Sequence, residues 1–255
     1  MQEESKRLNK YMAEAGICSR READRLIEQG RVMVEGQPAV TGMKIEVGQR
    51  VTFDGKPIEI NDEKIYLAFY KPRGIVCTSE KREKNNIIDY IHYPVRITYC
   101  GRLDKESEGL VIMTNDGELQ HQMMRGANGH EKEYIVSVDR TVTKEFLDNM
   151  QAGVYLEELD ITTRACQTEK LTETSFRIIL TQGLNRQIRR MCEQYGYRVM
   201  KLVRVRVMNV ELGKLKAGQY RKLTQEEYLR IQHLIQNVQI NDKTNKKKNN
   251  RAIRH

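Results

Sequence analysis

The run GRLDKESEGL at residues 101–110 places one carboxylate, Asp104, between two cations and between two glycines. The neighbouring Arg102 and Lys105 favour the charged form, so we expect Asp104 to be ionised at neutral pH. An ionised and positioned carboxylate can act as a nucleophile or as a base. An Asp in a glycine-bounded loop is more often a turn or cap residue, and the pattern alone favours that role.

A second cluster is the run GLNRQIRRM at residues 183–191. Asn185 has the residue type of a helix N-cap, and we predict a short helix behind it. Arg186 and Arg190 are four residues apart and would share a face, while Arg189 projects from a neighbouring direction. Such a helix start suits a phosphate or a carboxylate of another domain. A solvated basic face explains the same pattern equally well.

Two strand patterns also carry polar groups. Tyr134 begins an apolar alternation, where a half-buried sheet residue is commoner than a catalytic one. The alternation VRVRV at residues 203–207 predicts valines on one face and both Arg204 and Arg206 on the other. That cationic face would suit a phosphate backbone.

The chain of 255 residues has a formal charge of +9, which points to a polyanionic partner, with nucleic acid ahead of a membrane surface. Residues 236–255 hold six Lys or Arg and one Asp, so this tail supplies +5 and the rest only +4. The local clusters must therefore carry the case for nucleic acid.

The five cysteines are widely separated and form no Cys-x-x-Cys pair, which argues against a disulfide framework and a zinc site. The five histidines show no ligand spacing, and we expect no metal and no cofactor. No apolar segment opens the chain, and no run approaches the roughly 18 residues that span a bilayer. We therefore expect a cytoplasmic protein without a membrane partner.

The first sixty residues predict two short helices followed by short strands. Leu8 to Ala15 has helical periodicity, and Ser19 fits a capping box before a second helix that ends at Gly30. Val32 to Val34 and Val51 to Gly55 alternate as half-buried strands do.

A larger mixed α+β region follows, in which strands dominate and a mainly antiparallel sheet is expected. The predicted strands cover residues 65–70, 75–78, 95–100, 110–114, 134–138, 176–181 and 199–210. The predicted helices cover residues 87–91, 118–125, 144–150, 186–195 and 225–236. We predict domains at 1–61 and 62–236, with a basic, disordered tail at 237–255.

Residues 6–36 resemble the S4-like RNA-binding domain, and most of the remainder resembles the RsuA/RluB/RluF family of pseudouridine synthases. The sequence Gly-Arg-Leu-Asp followed by Ser-x-Gly-Leu is highly specific for these synthases, although Ser107 replaces the commoner Thr. The resemblance implies an S4-like domain at 1–61 and a synthase domain at 62–236.

The resemblance implies a base-flipping enzyme that isomerises a uridine in structured RNA without a cofactor. Asp104 would be the essential nucleophile or base, acting on C1′ or through a glycal route. Tyr134 would stack on the flipped base, and Arg189 would pair with Asp104. The expected RNA contacts are Arg102, Leu103, Lys105, Leu184, Asn185, Arg186 and Gln187 around the site, with Lys10, Arg20 and Arg21 in the small domain.

Two details, Leu184 and the run HEKEY at residues 130–134, favour RluF-like members of the family. They imply ribosomal RNA as the partner, the 23S rather than the 16S molecule, free or in an assembly intermediate. We expect a monomer. One rival is a noncatalytic RNA-binding or ribosome-assembly factor on the same fold. Another is a glycosidase, which would need two opposed carboxylates where one stands in a distinctive motif.

Overall fold

The computed structural model describes residues 5–60, 63–124 and 129–237 and divides the chain into two compact units. The first unit contains the chain up to Ile65, with Tyr93–Ile97 and Asn115–Gly117. The second contains Tyr66–His92, Thr98–Thr114 and everything from Glu118 onward. Of the tail predicted at 237–255, residues 238–255 lie outside the described residues.

The first unit packs two helices on small antiparallel sheets. Ser19 accepts a hydrogen bond from the Glu22 N–H at 3.2 Å, as its predicted N-cap role requires. Leu8, Met12 and Leu26 form the buried stripe that packs on the strands. The elements are β1 (Lys6–Arg7), α1 (Leu8–Glu14), α2 (Arg20–Glu28), β2 (Val32–Val34), β3 (Gln37–Pro38), β4 (Lys44–Ile45), β5 (Val51–Phe53) and β6 (Lys56–Pro57).

The second unit is built on a nine-stranded sheet, which confirms the expected mixed, mainly antiparallel α+β fold. Its strands are β7 (Tyr66–Lys71), β8 (Thr98–Cys100), β9 (Glu108–Thr114), β10 (Lys132–Val138), β13 (Gln167–Thr172), β14 (Ser175–Leu180), β15 (Val199–Val207), β16 (Val210–Glu211) and β17 (Tyr220–Lys222). The main path of the sheet runs β13-β14-β10-β15-β9-β7-β17, with β16 paired to β15 and β8 to β9. The pair β9–β15 is parallel and the other pairs in this sheet are antiparallel.

Helices and one small hairpin flank this sheet. The flanking elements are α3 (Ile87–Ile91), α4 (Gly117–Met124), α5 (Lys144–Ala152), the hairpin β11 (Tyr155–Leu156) and β12 (Ile161–Thr162), α6 (Gln187–Gln194) and α7 (residues 225–237). Leu119 of α4 and Ile231 of α7 are buried against Leu110 and Ile112 of β9. Burial on both faces explains why β9 is an almost continuous apolar run.

The predicted strand at residues 75–78 is wrong. That segment makes an isolated bridge between Val76 and Asn86. The Val76 N–H donates to the Asn85 carbonyl, and the Val76 carbonyl accepts from the N–H of Ile87, the first residue of α3, so these groups do not continue into a strand pair. The strands β11, β12, β13 and β17 were not predicted. β13 lies at the sheet edge with five of its six residues exposed, so it has no apolar alternation to reveal it.

The predicted cationic face of β15 is also wrong. Tyr134 is opposite Arg204, yet its neighbour Glu133 is opposite Arg206, so the register shifts by one residue at Val205. Cross-strand partners share a face, and consecutive residues of β10 point to opposite faces. This bulge therefore directs Arg204 and Arg206 to opposite sides of the sheet.

Candidate active site

A cleft of about 820 Å³ gathers most of the residues singled out from the sequence. Its walls come from the loop that precedes β9, the segment between β14 and α6, and one face of β10 and β15. The lining includes Arg102, Leu103, Asp104, Lys105, Tyr134, Leu184, Asn185, Arg186 and Gln187 from the predicted set. Asp104 and Tyr134 are thus brought to one cavity from positions thirty residues apart.

The Asp104 loop is held by backbone bonds to its surroundings. The Ser107 N–H donates to the Asp104 carbonyl at 3.1 Å, and the Gly74 N–H donates to the Lys105 carbonyl at 2.7 Å. The Leu103 N–H approaches the Cys77 sulfur at 3.4 Å. With these contacts the loop presents a half-buried Asp104 to the cleft, between exposed Arg102 and Lys105.

Gly109, the second residue of β9, has φ +115°, a conformation that L side chains rarely adopt. A Cβ on this residue would lie 2.3 Å from the Arg204 carbonyl oxygen and 2.6 Å from the Arg204 nitrogen. The parallel pair β9–β15 therefore requires glycine here, which gives a physical reason for the Gly of the Ser-x-Gly-Leu sequence.

Arg189 supports the loop from behind rather than facing the cleft. It is buried, and its guanidinium donates to the Val199 and Glu106 carbonyls at 3.2 Å and to Ser107 Oγ at 3.4 Å. Burial lowers the pKa of Arg189, and the nearby Asp104 charge acts in the opposite direction. The expected direct ion pair of Arg189 with Asp104 is absent from the contacts of the described residues.

Tyr134 is buried on the cleft side of β10. Its partners across the ladder are Ile178 on β14 and Arg204 on β15. The adjacent Glu133 points to the other side, where it bonds Arg206 at 2.8 Å. The aromatic ring thus forms part of the wall next to the Asp104 loop.

Asn185 is not the N-cap of α6. That position belongs to Arg186, which has φ +51° and no side-chain cap bond. The Asn185 carbonyl instead accepts from Arg190 Nε at 3.1 Å, and Arg190 also pairs with Glu158. Arg186 consequently stands apart from the helical face that was predicted for it and Arg190.

Two of the expected RNA contacts are buried. Leu103 packs as a core residue at the edge of the cleft, and Gln187 Oε1 accepts from the Leu184 N–H at 3.0 Å. Gln187 therefore fixes the turn that carries exposed Asn185 and Arg186. Asn185 and Arg186, which are exposed, can contact a large ligand directly.

Three basic groups near the cleft, buried Lys71 and His130 and half-buried Lys132, were not singled out as site residues from the sequence. Lys71 is fully buried, donates to the Pro72 and Ile75 carbonyls, and has its pKa lowered by burial to about 8. Burial lowers the pKa of Lys132 to about 8 as well, with the Arg204 charge adding to the effect. Burial also lowers the pKa of His130. Their scattered positions left no local signal.

The candidates of the first unit are described within that unit. Arg20 and Arg21 are exposed at the start of α2, and neither makes a salt bridge among the described residues. Lys10 Nζ lies 3.7 Å from Glu14 Oε1, and the two residues form an i,i+4 ion pair on α1. Free guanidinium groups at Arg20 and Arg21 fit phosphate contact better than a paired Lys10 does.

The described residues contain neither a metal-binding cluster nor a membrane-spanning helix. No group of three or more His, Cys, Asp or Glu could hold a metal ion in residues 5–60, 63–124 and 129–237. Over the same ranges, none of the helices has the length and apolar character needed to cross a membrane.

The family models match both units. The model for RNA pseudouridylate synthase matches residues 65–194, and the model for the S4 domain matches residues 6–51. The chain belongs to the RNA pseudouridylate synthase family, whose members are isomerases.

Individual relatives agree with this assignment. The dual-specificity RNA pseudouridine synthase RluF of Escherichia coli is 47% identical over 235 residues, which cover 91% of this chain and 80% of the relative. The ribosomal large subunit pseudouridine synthase B of Bacillus subtilis is 33% identical, covering 89% and 96%. A crystal structure of a pseudouridylate synthase matches with a TM-score of 0.65 and 27% identity, covering 88% of this chain and 99% of that one.

Proposed function

We propose that this protein isomerises uridine to pseudouridine in ribosomal RNA of the large subunit, with Asp104 as the essential carboxylate. The observation that carries the proposal is the meeting of Asp104 and Tyr134 in one cleft that exposed cations border. The family assignment supplies the reaction class, and the name of the Bacillus subtilis relative, a ribosomal large subunit pseudouridine synthase, supports ribosomal RNA as the substrate.

The reaction needs no external oxidant, reductant or energy source. The bond from uracil N1 to ribose C1′ breaks with its electron pair on the base, the base turns, and C5 bonds to C1′. The C5 proton leaves and N1 gains one, so substrate and product are isomers. Asp104 initiates base detachment at the ribose, and Tyr134 stacks on the flipped ring.

Arg189 acts in this scheme through the loop and not through a direct ion pair. Its bonds to the Glu106 carbonyl and Ser107 Oγ hold the segment that follows Asp104. The exposed Arg102, Lys105 and Arg186 would bind phosphates on either side of the flipped nucleotide. The first unit adds affinity through Arg20 and Arg21.

The direct test uses RNA that carries tritium at uridine C5, because replacement of that hydrogen accompanies C5 attachment. Wild-type protein should release tritium, and Asp104→Asn should lower the rate by about 10⁴-fold with RNA binding retained. Glu106→Gln is the matched control, because Glu106 lines the same cleft two residues away, and it should keep most activity. A noncatalytic RNA-binding factor would release no label with any of the three proteins.

The substrate is tested by mapping pseudouridines with carbodiimide adducts and primer extension. We propose that cells lacking the gene lose a modification in 23S rRNA, and that the protein works as a cytoplasmic monomer on this RNA, free or in an assembly intermediate. Because one relative is named dual-specificity, the tRNA fraction is mapped beside the rRNA. Loss in 16S rRNA alone would contradict the large-subunit assignment.

A further inference from the structure

Arg204 connects the two candidate catalytic residues of the cleft. It is 2% exposed, so its side chain lies inside the second unit rather than on its surface. Along the sheet, its backbone pairs with Tyr134 on one side and with Gly109 on the other. A single residue thus borders both the Tyr134 strand and the end of the Asp104 loop.

The Arg204 side chain forms hydrogen bonds with the backbone at two separated points, one on each side of Asp104. Nε donates to the Leu110 carbonyl at 2.7 Å, and Nη1 donates to the Arg102 carbonyl at 3.2 Å. The first acceptor follows the loop and the second lies two residues before Asp104. Because the guanidinium is planar and rigid, both ends of the loop are fixed relative to one plane.

Stability alone does not account for this arginine. Burial, and after it the Arg204 charge, lower the pKa values of buried Lys71 and half-buried Lys132, so three like charges lie near one another; Asp104 and Glu108 act in the opposite direction on Lys71. None of the three forms a salt bridge among the described residues, and their bonds run to carbonyls. Unpaired charges buried together disfavour folding, and an apolar side chain would avoid that cost.

We propose that Arg204 is a positioning residue, which holds the Asp104 loop at a fixed distance from Tyr134 for the reaction. This inference rests on the proposed synthase function. Arg204 itself touches no RNA in the scheme, because its contacts are internal. The β15 bulge is what makes the arrangement possible, since it turns Arg204 to the cleft side and Arg206 away.

The test compares Arg204→Lys with Arg206→Lys. Lysine keeps the charge at residue 204, but it lacks the rigid planar group whose Nε and Nη1 reach two separated carbonyls. Arg206 is a strand neighbour that makes three hydrogen bonds, to Glu133, Glu131 and the Met208 carbonyl, all of them away from the loop. We expect R204K to lower kcat about 100-fold with the RNA Kd unchanged, whereas R206K keeps the wild-type kcat.

A second measurement follows the loop directly by hydrogen exchange. R204K should accelerate exchange of the Leu103 and Ser107 amides, while R206K should leave both at the wild-type rate. Equal kcat values for the two variants, or a loop that exchanges no faster in R204K, would overturn the positioning role. An inactive wild type would instead overturn the proposed function, and the catalytic meaning of Arg204 with it.

Discussion

Replacing Gly109 by alanine should damage the second unit far more than an ordinary glycine substitution. The new Cβ would lie 2.3 Å from the Arg204 carbonyl oxygen, whereas ordinary contact begins at 3.4 Å. β9 and β15 must therefore separate by about 1 Å, since both partners are backbone. The strands are joined by two residue pairs, Val203–Glu108 and Arg204–Gly109, so few ladder hydrogen bonds oppose their separation.

The magnitude follows from two contributions. The backbone conformation at φ +115° costs an alanine about 1–2 kcal/mol. Weakening the Arg204 bond to Leu110 and one ladder bond adds about 2–3 kcal/mol. We expect Gly109→Ala to lower the unfolding free energy by about 4 kcal/mol, or the Tm by about 10 °C.

Gly101→Ala separates strain from steric conflict. Gly101 has φ +84°, and nothing lies within 4 Å of an added Cβ, so only the backbone strain of about 1–2 kcal/mol applies. Urea unfolding followed by circular dichroism measures both variants. Equal losses for Gly101→Ala and Gly109→Ala would refute the close approach of β9 to β15.

Three further outcomes test other parts of the structure. Burial lowers the pKa of Lys71 to about 8 from an ordinary 10.5, so folding favours the neutral amine and stability should rise with pH between these two values. In urea unfolding over this range, the wild type should gain about 1.4 kcal/mol of unfolding free energy per pH unit relative to Lys71→Met. A difference that stays constant with pH would contradict the burial of this amine. Phe146→Ala removes a ring that packs edge-on against Phe176 and Tyr195 and stacks on Tyr197. It should therefore lower the unfolding free energy by about 3–5 kcal/mol. A loss below about 1 kcal/mol would disprove that packing. Changing Arg20 and Arg21 together to Gln should reduce the slope of log K for RNA against log salt by about 2. Lys214, an exposed lysine after β16, serves as the control, and Lys214→Gln should change the slope by less. An unchanged slope in the double variant would exclude phosphate contacts at the start of α2.

Local patterns predicted the parts of the site whose geometry is local. The glycines around Asp104 predicted a loop between strands, and the apolar alternation after Tyr134 predicted β10. The Ser19 cap was predictable because the acceptor and the Glu22 amide are three residues apart. The reaction class came from the resemblance, since a single loop carboxylate has many uses.

Features set by pairing between distant strands were not predictable in this way. The bulge at Val205 depends on β10, so the sequence VRVRV alone placed both arginines on one face. The hydrogen bond from Arg204 to the Arg102 carbonyl joins residues about a hundred positions apart, and no spacing rule predicts it. Asn185 failed as an N-cap because its carbonyl and amide oxygens bond Arg190 instead.

The central claim is isomerisation of uridine by Asp104, and direct analysis of the products tests it. Unmodified large-subunit rRNA is incubated with wild type or Asp104→Asn, and both the nucleosides and any free base are quantified by chromatography. Wild type should convert uridine to an equal amount of pseudouridine without free uracil, and Asp104→Asn should form pseudouridine about 10⁴-fold more slowly. Release of free uracil would identify a glycosidase, and pseudouridine formation by Asp104→Asn at the wild-type rate would contradict the role of this carboxylate.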